Sequence, residues 1–534
     1  MKKIIWTILL FSVTIPIFAG DNNNSINRDS LARDFAYLSK LLETSHPDPY
    51  SSFGGRVFFN VESKKTEMAI RKSCSSIDEF ALTVENFLSK LHDGHTFLNY
   101  HFQRVANSGK IPFGLKIIPD GAIINALPTA ESNLLGSKVE RINGISVDSL
   151  LNAVNNIYPC ENIYGEYGNL EFMFSYDNFT ALSRILPYIN KFDLELLTPN
   201  GEHKSISLMP LEKDTELAQF PDDDKLSSLK NLQYGFIDER KNVMMLKLIN
   251  ILARENFEYT LQNHWPGAMQ QLKSFYKNVL QSEMPADSAK AVKNVPSFSE
   301  IFLAMLKEMR MNGSKNLIID LRGDEGGWTP ITLPALYMMY GDRYLTTDMG
   351  TSDHVLLSDL YLKKMNMTLQ EFNHENQSNY NIGDLISYED KSNANLPIDS
   401  LRSQFISSSM CGMRKALEPL HGKPIYTPAN VYVVTDEWTF SAAFHFAFFL
   451  WKMGATVVGV PSSQAPNTFM EQTPFQLPYS KITGSISNTM QVFLPAADRH
   501  AKVFYPDWIP SYKDYKKYGF NQQSELLYLL DRMK

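Results

Sequence analysis

From residue 235 onward the chain alternates buried strand with apolar-faced helix, and that alternation limits the fold more than any other feature. Val243 to Ile251 reads as a strand, Phe298 to Met311 as a helix, Leu317 to Leu321 as a buried strand and Val431 to Val434 as another. A helix follows over Phe440 to Lys452, then a strand over Thr456 to Val460. Apolar strands separated by helices predict an α/β layer with parallel strands, because a parallel crossover needs room for a helix. Two long polar stretches, about 254–296 and 342–425, fit that layer poorly. They read as insertions, candidates for a lid over a cleft. The chain carries no internal repeat.

The chain ahead of this layer changes character twice. Residues 21–105 read as a small helical domain. Leu31, Phe35, Leu38, Leu41 and Leu42 form one apolar stripe after Asp29-Ser30. His46-Pro47-Asp48-Pro49 stops that helix, since proline disfavours a helical residue before it. Ser76 with Glu79 makes a capping box, and Phe80, Val84, Phe87, Leu88 and Leu91 follow at helical spacing. That helix runs into Asp93-Gly94-His95-Thr96, where Gly94 is expected to end it. Residues 106–212 turn to short β runs: Phe113 to Ile118, Ala122 to Ala126, Lys138 to Ile142, Phe192 to Leu197 and Ser205 to Leu208. Pro119-Asp120-Gly121 and Asn143-Gly144 supply turns, and 147–156 reads as a short helix. Residues 213–232 are charged and polar, as in a linker, and 213–534 make up the α/β core with its two insertions.

The first twenty residues carry an export pattern. Lys2 and Lys3 start it, Ile4 to Phe18 is almost wholly apolar, and Ala19-Gly20 is a small-residue exit before a polar run. The competing reading is an uncleaved anchor, for which the stretch is short. Cleavage near Ala19 or Gly20 predicts a periplasmic or secreted protein without a stable membrane span. With 51 basic and 58 acidic residues the net charge is −7, which argues against a nucleic-acid partner held by a general basic field. The three cysteines, Cys74, Cys160 and Cys411, are too few and scattered for a disulfide framework or a zinc site. No metal or organic cofactor is expected.

Three segments carry chemistry. Asp93-Gly94-His95-Thr96 places a histidine at a turn, although alone it reads equally as a helix-end histidine. Leu317 to Gly327 is a buried strand running into a glycine-rich loop, whose amides can converge on an anion or simply make a turn. Thr439-Phe440-Ser441-Ala442-Ala443 puts a serine at a helix start beside a free amide and the positive dipole end, or makes it a plain N-cap. Histidine-glutamate zinc, P-loop and Gly-x-Ser-x-Gly motifs are absent.

Taken in order, these segments resemble the tail-specific, or C-terminal processing, serine peptidase family, in its tricorn-core-like secreted branch. The likeness covers Leu91 to Thr96, Val139 to Leu150 with Arg141-Ile142-Asn143-Gly144, Asn316 to Gly327, and Val431 to Gly459. It implies a multidomain α/β protein: helical N-terminal domain, PDZ-like α+β module over 106–212, and a ClpP/crotonase-like serine protease core. It implies polypeptide substrates and acyl transfer. Ser441 matches the nucleophile. The amides of Ala442 and of the loop carrying Gly323, Gly326 and Gly327 match the oxyanion hole. His95 matches the base, since the lysine of the family's other branch is missing from Ser462 to Met470 and Lys452 is misplaced. Pro506-Asp507 matches a pair that follows a supporting glutamate. Asp498 stands nearest that glutamate's place. His445, one turn past Ser441, ranks below His95 because a histidine inside an apolar helix is usually a satisfied core residue. Phe113-Gly114-Leu115-Lys116 matches a peptide-carboxylate loop, or is an ordinary edge strand. Asp324 and Glu325 depart from the pattern, because carboxylates beside an oxyanion hole oppose developing negative charge. Two alternatives stand beside the peptidase: a catalytically inactive peptide-binding protein of the same fold, and a related hydrolase of small esters or amides.

Overall fold

The computed structural model describes residues 26–102, 109–175, 177–265, 267–389, 396–409 and 411–534, so the export segment lies outside the described residues. Helices α1 (Arg28–Ser45), α2 (Arg56–Ser73) and α3 (Ile77–Leu88) pack around Leu31, Phe35, Leu38, Leu42, Phe59, Phe80 and Phe87. Asn27, a turn earlier than expected, caps α1 through its side chain. The predicted capping box is half formed: Ser76 accepts from the Glu79 amide, but the Glu79 carboxylate closes on Ser75. Gly94 does not end the helix. α3 stops at Leu88, and after a 3-10 turn His92 takes the left-handed conformation, with φ 52°. The chain then leaves as strand β1 (Phe97–Asn99).

The middle region forms β2 (Gly114–Ile118), β3 (Gly121–Leu127), β4 (Lys138–Ile142), β5 (Ile145–Ser146), α4 (Val147–Asn155), α5 (Ile163–Ser175), α6 (Phe179–Ile185), β6 (Phe192–Leu197), β7 (His203–Leu208) and β8 (Ala218–Gln219). The antiparallel order is β2-β3-β4-β6-β7, with β5 on β4 and β8 on β3. Asn143 and Gly144, both at positive φ, turn β4 into β5. The sequence pattern predicts neither α5 nor α6. α5 has glycines and apolar residues on all sides, so it shows no helical stripe, yet it buries Leu170, Met173 and Phe174 under the sheet.

The core begins with β9 (Gln233–Phe236), β10 (Val243–Lys247), α7 (Arg254–Gln262), α8 (Ala268–Asn278), α9 (Ser288–Asn294), α10 (Phe298–Asn312) and β11 (Asn316–Asp320). It continues through α11 (Leu333–Tyr340), α12 (Asp342–Thr346), β12 (Ser352–Leu356), α13 (Asp359–Met365), α14 (Leu369–Asn376), β13 (Leu385–Glu389), α15 (Ile398–Ser408) and α16 (Cys411–Leu417). It closes with β14 (Asn430–Thr435), α17 (Ala442–Lys452), β15 (Thr456–Gly459), β16 (Asn467–Gln476), β17 (Thr483–Val492), α18 (Tyr512–Lys517) and α19 (Ser524–Arg532). β15, β14, β11 and β10 pair in parallel, as the alternation predicts, and β9 adds an antiparallel edge. A second sheet, β1-β17-β12-β13 with β16 on β17, joins the N-terminal region to the core.

The stretches read as insertions are packed layers. Helices α7 to α9 share an apolar cluster around Phe257, Leu272 and Phe275. β12 and β13 extend the second sheet. Buried ionic contacts dock the middle sheet: Lys116 of β2 meets Glu525 of α19 at 2.9 Å, and Arg322 meets Glu525 and Asp320 at 2.8 Å each. Burial opposes the Glu525 charge, but Lys116 and Arg322 hold its carboxyl down at about 2.

Candidate active site

Ser441 sits at the elbow between β14 and α17 with φ 52° and ψ −122°, and is 1% exposed. Such a backbone costs a non-glycine residue about 1–3 kcal/mol and persists only where surrounding contacts fix it. Here the Phe440 amide donates to the Asp324 carbonyl (3.0 Å), and the Thr439 hydroxyl donates to the Leu321 carbonyl (3.1 Å). The Ser441 amide donates to Gln464 Oε1. The Ser441 side chain makes no capping bond to α17, so it is not the plain N-cap that the sequence also allowed. The Ala442 amide lies in the first turn of the helix, where no intrahelical acceptor exists.

The glycine loop lies directly against this elbow. A Cβ on Gly326 would stand 2.7 Å from Ser441 Cβ and 2.8 Å from the Ala442 nitrogen, so only glycine fits there. Gly326 and Gly327 have φ of 101° and 149°. The Ile251 amide donates to the Gly326 carbonyl and the Trp328 amide to the Ile251 carbonyl, which turns the Gly327 N–H to the opposite side of that bridge. The Gly326 amide is already spent on Asp324 Oδ1 (2.8 Å), and the Gly323 amide on the Asp436 carboxylate (2.9 and 3.0 Å). Of the expected donors, Gly327 and Ala442 retain their N–H groups. The expected clash of charges is also relieved. Asp324 is folded inward with its carboxyl pushed well above the usual range by burial, and Glu325 is exposed.

The third wall is the 92–96 corner. The buried Asp93 carboxylate organises it, accepting from the His95 amide at Oδ1 (2.9 Å) and from His46 Nε2 (3.2 Å) and the Thr96 hydroxyl at Oδ2. Burial opposes this charge, but His46 and Thr96 keep the carboxyl below its ordinary value. The Ser487 amide donates to Thr96 Oγ1 (3.0 Å), fastening the corner to β17. His95 is 3% exposed, and its ring stacks on Phe440, the residue before the serine, at 4.9 Å and 22°. Burial lowers its pKa, so the ring is neutral at neutral pH. Neither ring nitrogen makes a well-formed hydrogen bond among the described residues, although the Phe469 backbone lies near the ring. Glu161 Oε1 lies 3.8 Å from His95 Nδ1, with both side chains buried. The missing Cβ of Gly94 makes this approach possible: it would stand 3.0 Å from the Phe440 ring and 3.2 Å from Glu161 Oε1.

Residues 291–494 match the model of peptidase family S41. The chain carries a serine peptidase domain of that family. No curated protein matches the chain. Among solved structures, mature CPAF matches with TM-score 0.54 and 15% identity over 94% of this chain and 97% of its own. Mature CPAF complexed with lactacystin matches with TM-score 0.54 and 15% identity over 95% and 99%. These likenesses concern the fold, which extends beyond the matched segment to the N-terminal helices and the middle sheet.

The peptidase departs from sequence expectation at several side chains. Asp498 is not at the site. It bonds His500 (3.0 Å), which packs against Trp451 near the far end of α17. His445 is a satisfied core residue: the Thr329 hydroxyl donates to Nδ1 and Nε2 donates to Gln491 Oε1, both at 2.7 Å, and burial lowers its pKa to about 4. Lys452 lies over Phe448 and Trp451. Asp507, of the expected Pro-Asp pair, accepts from the Val457 amide on β15. Phe113 and Leu115 bury their side chains in the middle core, so that segment offers the peptidase backbone rather than side chains. Glu161 carries no sequence signal, since it follows Cys160 in a loop with no motif of its own. Asp93, His95 and Glu161 hold ligand atoms within 4.8 Å of one another, a donor set suited to a divalent cation. Both Asp93 oxygens already accept protein donors, which a cation would displace.

Proposed function

We propose that the peptidase works outside the cytoplasm, after removal of residues 1–20, with Ser441 as nucleophile and His95 as general base. The observation that carries this reading is the strained serine elbow whose Phe440 ring stacks on a buried histidine, neither ring nitrogen of which makes a well-formed hydrogen bond among the described residues. Neutral imidazole takes the serine proton, Oγ bonds the peptide carbonyl carbon, and the amides of Ala442 and Gly327 receive the tetrahedral oxyanion. The protonated imidazole then returns its proton to the leaving amine, and water releases the acyl-enzyme.

Substrate enters as an extended strand beside β2 of a PDZ-like module. Among the described residues β2 pairs with β3 alone, which leaves its other backbone edge for a peptide. A groove of about 440 Å³ runs along that edge between Gly114, Lys116 and Phe174, and reaches Asp436 to Trp438 just before Ser441. The deciding experiment uses protein lacking residues 1–20. Wild type should cleave unfolded casein and react with a fluorophosphonate, and Ser441→Ala and His95→Ala should do neither while remaining folded. Cleavage by Ser441→Ala removes the reading. Absence of labelling in every form favours the inactive binding protein. Peptides with free and amidated C-termini test tail preference.

A further inference from the structure

The site as described leaves its base without an orienting carboxylate, because Asp498 lies elsewhere. We propose that Glu161 fills that role as a positioning residue, so that the site is assembled from three regions of the chain. This rests on the reading of Ser441 and His95 as nucleophile and base.

Four observations converge on it. Glu161 Oε1 lies 3.8 Å from His95 Nδ1, and the two side chains are 2% and 4% exposed. Both His95 ring nitrogens and Glu161 Oε1 make no well-formed hydrogen bond among the described residues, although the Phe469 backbone lies near the ring and the Gly94 amide and Thr468 hydroxyl lie near the carboxyl, a costly state for buried polar atoms. The segment bearing Glu161 is fixed from two sides. His92 Nδ1 donates to the Cys160 carbonyl (3.2 Å), holding it to the corner. The Ala465 amide donates to Glu161 Oε2 (2.8 Å), and Asn162 Nδ2 donates to the Ser462 carbonyl (3.1 Å), holding it to the core. Finally, Gly94 leaves the opening through which Oε1 faces the ring.

The chemistry requires no new reactant. His95 carries its proton on Nδ1, which donates to Glu161, so that Nε2 keeps the lone pair that accepts the Ser441 proton. The proton stays on the imidazole, and the Glu161 carboxylate stabilises the cation without being protonated. A separation of 3.8 Å closes to hydrogen-bond length with a movement under about 1 Å, as catalytic bonds commonly do when substrate binds. Burial opposes charge on both side chains, raising the Glu161 pKa and lowering that of His95, and the neighbouring Asp93 carboxylate acts on both.

The test compares wild type, Ser441→Ala, His95→Ala, Glu161→Gln and Asp498→Asn on one peptide, with kcat, KM and pH profiles. Glu161→Gln should lower kcat about 10²- to 10⁴-fold while KM changes less than about threefold. Its acid limb should move down by about one pH unit or more, since removing a nearby negative charge lowers the histidine pKa. Asp498→Asn should match wild type. Glu161→Gln within threefold of wild type, with Ser441→Ala and His95→Ala inactive, overturns the Glu161 role and leaves the serine-histidine reading standing. Full activity in Ser441→Ala overturns both. Should Glu161→Gln fail to fold, ¹⁵N-histidine spectra of Ser441→Ala decide, with His95→Ala assigning the signal. An Nδ1-protonated His95 supports the role, and an Nε2-protonated one overturns it.

Discussion

The interior of α17 around His445 and the corner around His95 are both buried and aromatic, yet they treat their imidazoles in opposite ways. His445 has a partner on each ring nitrogen at 2.7 Å. The His95 ring makes no well-formed hydrogen bond among the described residues, although its backbone is held by Asp93. A buried polar atom without a partner costs about 1–3 kcal/mol, so the fold stabilises the His445 ring and leaves the His95 ring at a cost that packing alone does not explain. Burial lowers the pKa of both rings, so titration alone does not separate them.

The strongest way to break this contrast is to remove each ring. His95→Ala should lower kcat by about 10³-fold or more with little change in melting temperature. His445→Ala should do the reverse, costing about 2–4 kcal/mol of stability by opening a cavity and stranding Thr329 and Gln491, with activity of the folded fraction within tenfold. Calorimetry and steady-state kinetics on the two variants check both halves. Next in size, Gly326→Ala should cost about 10²–10³-fold in kcat, because its methyl collides with Ser441 Cβ and the Ala442 amide at the proposed oxyanion site. A fluorophosphonate labelling rate reports it directly.

Asp93→Asn sharpens the contrast through pH. The folded protein holds this carboxyl below its ordinary value, so its contribution to stability is present above the usual carboxylate range and is lost as pH falls through the lowered value. The variant should be less stable at pH 7 and should lose less than wild type on acidification, as urea titrations at pH 7 and pH 3.5 would record. Asp498→Asn is the smallest expected effect, under about twofold on kcat/KM, since Asp498 bonds only its neighbour His500.

The elbow, the glycine loop and the parallel strands were legible because each is written in contiguous residues. Leu317 to Leu321 is apolar without interruption and ends in glycines, and Val431 to Val434 precedes an apolar helix. β17 was not legible. It buries Ser485, Ser487, Asn488, Thr489 and Gln491, so its sequence looks like a polar loop until it is seen between β16, β1 and β12. The N-cap alternative for Ser441 could be rejected only from its φ and the absence of a capping bond.

Sequence by itself determined the parallel α/β layer, the serine at a strand-to-helix junction, and the histidine in a tight corner, because local patterning and turn chemistry specify them. Tertiary structure alone decided which partners these groups meet. Three segments far apart in the chain, His92 to Thr96, Cys160 to Asn162 and Ser462 to Ala465, close on one another through hydrogen bonds that each pair a backbone group with a side chain 68 to 304 residues away. No local pattern encodes such contacts. They exist because burying the surrounding apolar surface fixes the backbones, and the polar groups caught at the junction must then pair or, as at the His95 ring, stay unsatisfied.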